Sequence, residues 1–196
     1  MDAVADSARV VVLVEGLSDR AALSTLARRN GIDLDHDGLA IVAIGGATNI
    51  SRYLEQYGPQ GRNLDIGGLC DAGEEPALRR RLARAGYGNE LTRHGLEQLG
   101  FFVCDRDLED ELIRALGVDA TERVIAAEGE LASLRIMQRQ PAQRERRPAD
   151  QLRRFIGTRS GRKIRYGQLL AEALDPEQVP HPLTGVLDWM SSRLPS

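Results

Sequence analysis

Lysine is nearly missing from this chain. Of its 26 basic side chains only Lys163 is a lysine, and the rest are arginine. Cysteine and histidine are scarce too, at two and three residues. Neither falls in a metal-site spacing, which argues against a zinc centre. Cys70 and Cys104 each end an apolar run just before an aspartate, as buried, reduced thiols would. No apolar run nears the roughly 18 residues of a membrane helix, so no membrane partner is expected. The opening stretch MDAVADSARV lacks the apolar centre of a signal peptide. These absences together predict a cytoplasmic protein.

What is present is ordinary in amount and uneven in placement. Hydrophobic residues at 42% and charged residues at 28% suit a globular protein. The 196 residues suffice for one domain and an appendage, at roughly 100 to 200 residues per domain. The net charge of −3 conceals an asymmetry: residues 135–165 hold eleven basic and two acidic side chains, leaving the remainder acidic. This predicts a basic pole for a polyanion and an acidic pole for cations. Arg144, Arg146, Arg147, Arg159, Arg162 and Arg165 are the candidate contacts to a nucleic-acid backbone.

Four strand-like runs, at 10–14, 39–44, 64–70 and 101–104, alternate with helical patterns at about 19–29, 50–54, 76–85 and 107–116. Such alternation predicts an α/β fold, a mainly parallel sheet of about four strands flanked by helices. After about residue 130 only helical patterns remain, at 131–138, 149–156, 163–174 and 183–193, with a polar, proline-bounded connector at 140–150. We therefore read an α/β core at 1–128 and a basic helical extension at 129–196. In the helix at 163–174, Tyr166, Leu169, Leu170 and Ala173 are the expected buried face.

Glu15 closes the first apolar run, and Asp19 follows across Gly16 and Ser18. A carboxylate at the C-terminal tip of a buried parallel strand stands where open α/β sheets bind ligands. Gly16 permits a tight turn there, and Ser18 is the expected helix cap. Asp71 with Glu74 and Glu75, and Asp105 with Asp107 and Glu109, end the third and fourth strands. Carboxylates gathered this closely repel by roughly 1 to 4 kcal/mol per pair, which predicts a neutralising cation. Mg²⁺ or Mn²⁺ suits an all-oxygen donor set. Acids at 107–111 also suit a helix start, at about 0.3–1 kcal/mol each. Glu15 has no such structural purpose.

The segments VVLVEGLSD, GLCDAGEE and DLEDEL resemble the TOPRIM domain, and more narrowly that of OLD (overcoming lysogenisation defect) nucleases. The resemblance spans about 9–118 and, more weakly, 159–174. It implies a compact Rossmann-like sheet and Mg²⁺-dependent DNA cleavage, ligation or nucleotidyl transfer. By it, Glu15 and Asp19 match the first motif, with Glu15 also catalytic. Asp71 matches the first acid of a DxD element, and Asp107 and Glu109 match the acids of DLE. Gly73 stands where the second DxD acid belongs, leaving Glu74 or Glu75 as a substitute ligand, with Glu74 the one we name. Lys163, three residues before Tyr166, matches a lysine that serves the OLD-type active site. OLD-family nucleases carry an ATPase domain ahead of TOPRIM; none is recognisable here, so an ATPase is expected as a separately encoded partner, with a homodimer as the other candidate assembly.

The expected function is a metal-dependent phosphodiesterase, a DNA endonuclease that nicks or cuts. The alternatives are a non-catalytic nucleotide- or nucleic-acid-binding module acting with a partner protein, or a TOPRIM nucleotidyl transferase or phosphohydrolase on another substrate. The stretch GTRSGRK at 157–163 superficially resembles a phosphate-binding loop. It has too few residues between its glycines and no strand ahead of it, and we reject it.

Overall fold

The computed structural model describes residues 8–89 and 91–194. Residues 1–7, part of the opening stretch read above, lie outside them. One four-stranded parallel sheet is built from β1 (Val10–Val14), β2 (Leu39–Ala43), β3 (Asp65–Asp71) and β4 (Phe101–Cys104), in the order β2-β1-β3-β4. All five residues of β1 are buried, which explains their unbroken apolar run. Val14 pairs with Ala43, Leu13 with Gly68 and Asp71 with Cys104, so all four C-terminal strand ends lie along one edge. Glycine at 68 is required by this pairing, since a Cβ there would meet the Leu13 carbonyl oxygen at 2.4 Å.

The helices are α1 (Leu17–Arg29), α2 (Ile50–Tyr57), α3 (Glu75–Arg84), α4 (Arg93–Gln98), α5 (Leu108–Leu116), α6 (Val118–Ala127), α7 (Leu131–Gln138), α8 (Pro141–Arg144), α9 (Pro148–Ile156), α10 (Ser160–Ala173) and α11 (His181–Ser191). Helices α4 and α6 were not expected. The first has six residues, too few for a periodic stripe. The second follows α5 across Gly117 alone, whose φ of 78° breaks the helix at that point. The supposed connector at 140–150 contains α8 and the first turn of α9. Pro141 and Pro148 start these helices, where a missing N–H costs nothing, and do not interrupt them.

Side chains alternate across the sheet and feed two apolar layers. Val11, Leu13, Ile66, Phe101 and Val103 pack with Leu54, Leu78, Leu82 and Leu96 of α2, α3 and α4. Val10, Val12, Val14, Phe102 and Cys104 face α1, α5, α9, α10 and α11 through Leu23, Leu112, Phe155, Tyr166 and Leu187. The second layer therefore draws on helices beyond residue 129. On α10 the buried set is Tyr166, Leu170 and Ala171; Leu169 is half-buried and Ala173 exposed, so the face lies slightly round from the expected one. A Cβ at Gly167 would sit 2.7 Å from the Ser18 carbonyl oxygen, so glycine lets α10 lie directly on the start of α1. Among the described residues no helix is long and apolar enough to cross a membrane.

Candidate active site

Where β1 ends, the chain turns into α1 through Glu15 and Gly16. Gly16 is the cap residue, in extended backbone, and its N–H donates to Asp19 Oδ2 at 2.7 Å. Ser18 lies buried in the first turn and is not the cap, because Asp19 at the third helical position reaches back to the free N–H. The end of β2 closes from the other side. Gly45 and Gly46, with φ of 72° and 112°, both donate their N–H groups to the Glu15 carbonyl oxygen at 3.1 Å.

These turns enclose a pocket of about 380 Å³ lined by Glu15, Gly16, Asp19, Gly45, Gly46, Asp71, Asp107, Glu109 and Lys163. Five carboxylates from three strand ends and the lone lysine from α10 thus share one space. Burial, then the charges of Glu15, Asp107, Asp19 and Glu109, push Asp71 up to about 7. Burial also raises Glu15, with Asp19 adding to it, and raises Asp19 and Glu109 against the opposing pull of Lys163. The Lys163 ammonium lies 3.2 Å from Glu109 Oε2. Burial works against its charge, but Glu109 and Asp19 outweigh that and hold its proton more tightly than usual.

Asp107 behaves differently. Burial opposes its charge, yet the Arg153 guanidinium and the Asp110 N–H bring it below the usual carboxylate range. Its Oδ1 accepts from Asp110 N at 2.9 Å, capping α5, while Oδ2 accepts from Arg153 Nε at 2.6 Å and from Nη2. Both oxygens are thereby engaged inside the protein. Arg153 was invisible in the sequence, one arginine in a crowded run.

Other expected residues lie elsewhere. Glu74 starts α3 and lines a small cavity that shares Glu15 with Ile44, Leu69 and Leu78. Glu75 is buried between Arg79 and Arg93, the latter at 2.5 Å. Asp105 pairs with Arg114 at 3.1 Å and lines a separate cleft with Arg93 and His181. The acid groups at two strand ends are therefore split by local arginines, which claim Glu75 and Asp105. Arg144, Arg146, Arg147, Arg159 and Arg165 are exposed. Arg162 is spent internally: its side chain is 11% exposed, stacked 4.1 Å from the Phe155 ring centre and bonded to Glu130 at 3.0 Å.

The donor set suits a hard divalent cation. All the side-chain acceptors are carboxylate oxygens, and Glu109 Oε1 is buried with no hydrogen-bond partner. Among the described residues no three of these groups stand gathered at metal-ligand distances, so side-chain rotation is needed to close on an ion.

Residues 8–65 match the family model described as the TOPRIM domain of overcoming lysogenization defect protein-like proteins, a span holding Glu15 and Asp19. No curated protein matches the chain. Among solved structures, the C-terminal region of the Xanthomonas campestris pv. campestris OLD protein superposes with a TM-score of 0.68 and 28% identity, covering 94% of this chain and 95% of that one. The C-terminal region of the Burkholderia pseudomallei OLD protein gives 0.69 and 25%, covering 94% and 98%. The parallel sheet and these matches make the chain similar to the C-terminal regions of OLD proteins, with an OLD-like TOPRIM domain matched over residues 8–65.

Proposed function

We propose that this protein is a metal-dependent phosphodiesterase that nicks or cuts DNA. The observation that carries the reading is the convergence of Glu15, Asp19, Asp71, Glu109 and Lys163 on one pocket. Glu15 with Asp71, and Asp19 with Glu109, are the groups to hold Mg²⁺ or Mn²⁺. When bound, such a cation polarises the phosphate and activates a water. Asp107 is a further group to hold the ion, oriented by Arg153 and the α5 backbone as hydrogen-bonded ligand carboxylates are. Lys163 supplies a compact positive charge for the oxygen that departs from phosphorus. Exposed Arg144, Arg146, Arg147, Arg159 and Arg165 offer charge to a phosphate backbone, so affinity falls steeply with salt. An ATPase acting in trans and a homodimer are the assemblies consistent with this reading.

Gly73 favours a second reading, a binding module without turnover, because the second acid of the strand-end motif is absent. Nicking of supercoiled plasmid with Mg²⁺ or Mn²⁺, wild type against Glu15→Gln, separates the two. Metal-dependent nicking that the substitution lowers by at least about 100-fold supports the nuclease. Equal activity in both proteins places the chemistry elsewhere, and no cleavage with retained DNA binding supports the module.

A further inference from the structure

Among the described residues that line the acidic pocket, Lys163 is the only cationic one. Lys163 reaches in from α10 with 42% of its side chain exposed, against 5% for the Glu109 it contacts. The other oxygen of Glu109 is buried and has no hydrogen-bond partner, an arrangement unfavourable unless a donor or cation takes it up. Asp19 and Asp107 act on the same ammonium. Its charge therefore occupies the region to which these acids would draw a divalent ion. Two cations at such range repel, and an ammonium on a flexible four-carbon stem is the group free to move.

We propose that Lys163 is the resident counter-cation of this pocket, and that it leaves Glu109 for the pocket mouth when a divalent cation is bound. This rests on the reading of the pocket as a divalent-cation site. The exchange releases both oxygens of Glu109 to the ion and turns the ammonium outward, toward the phosphate of a bound strand. Only the side chain moves. Helix α10 itself is fixed against α1 at Gly167, and its Tyr166 hydroxyl donates to Glu130 Oε2 at 2.9 Å.

Because the chain has one lysine, the exchange is directly observable. Protein grown with ¹³C-labelled lysine gives one side-chain Cε signal, followed by NMR while Mg²⁺ is added and calorimetry records binding of the same ion. The signal is expected to shift and its relaxation to report a freer side chain, both saturating with the binding isotherm. Saturable Mg²⁺ binding with unchanged Lys163 relaxation overturns the exchange while leaving the cation site intact. No Mg²⁺ binding by the wild type overturns both. Lys163→Met, freed of the competing charge, is expected to bind Mg²⁺ about tenfold more tightly, with Lys163→Arg close to wild type. Equal or weaker binding by folded Lys163→Met overturns the proposal.

Discussion

Asp71 carries the consequences of the pocket most directly. Its pKa of about 7 lies well above the ordinary 3.8, because burial and four neighbouring carboxylates disfavour its charge. The native state therefore keeps a proton that the unfolded chain has released. The stability this group contributes is full below 3.8 and is lost as pH rises through about 7. In cation-free buffer the thermal midpoint is expected to fall across that window, and Asp71→Asn to flatten the fall. Cation binding has the opposite sign. An ion must displace the proton, so calorimetry on either side of pH 7 should show tighter Mg²⁺ binding on the alkaline side. Gly73 offers a second test at this scale. A Cβ there would meet nothing within 4 Å, so Gly73→Asp should fold within about 0.5 kcal/mol of wild type. It should also tighten Mg²⁺ binding measured by the same titration. Unchanged affinity would mean that position 73 does not face the ion.

At the scale of elements, α9 and α10 decide how the strand ends are used. Helix α9 brings Arg153 to Asp107, and its removal leaves that carboxylate under-supported and free to turn. Arg153→Ala is expected to weaken Mg²⁺ binding or nicking by roughly 10- to 100-fold, the range seen when supporting residues around metal ligands are lost. Helix α10 lies on α1 where Gly167 meets Ser18, one turn from Lys163. Gly167→Ala should cost about 1–3 kcal/mol in urea unfolding, since the obstacle is backbone and cannot rotate aside. A stability equal to wild type would show that the two helices are free to separate. The strands and helices such as α5 were legible in sequence because burial on both faces of β1 and the stripe of α5 leave periodic signatures, whereas α6, set off from α5 by Gly117 alone, was not. Helix α4 was not, because six residues cannot show a period, and Thr92 as its cap is recognisable only once the helix is known.

Over the whole molecule, the sheet is closed by α11. Trp189 packs on Gly67 of β3 and on Gly100 just ahead of β4, where a Cβ would stand 2.8 or 2.3 Å from its ring. Trp189→Ala is expected to destabilise the protein by about 3–5 kcal/mol in chemical denaturation, a loss the remaining core has no side chain to fill. The charge asymmetry acts at this scale too. Arg144→Ala and Arg147→Ala should each reduce the log–log salt slope of DNA binding by about 1, whereas mostly buried Arg162 should act on stability.

Local chemistry written along the chain determined a good deal by itself. The apolar runs specified four strands, and acids at three of their ends, Glu74, Glu75 and Asp105 included, are visible one residue at a time. The choice of Glu15, Asp19, Asp71, Asp107 and Glu109 among them, and the role of Lys163, came from the resemblance to OLD-type TOPRIM domains. Strand order, the splitting of Asp105 and Glu75 toward arginines, and the grip of Arg153 on Asp107 came only with the tertiary structure. Each of these depends on which distant segment arrives alongside. In a chain with so many arginines, pairing is settled by distance in space, and no spacing along the sequence encodes it.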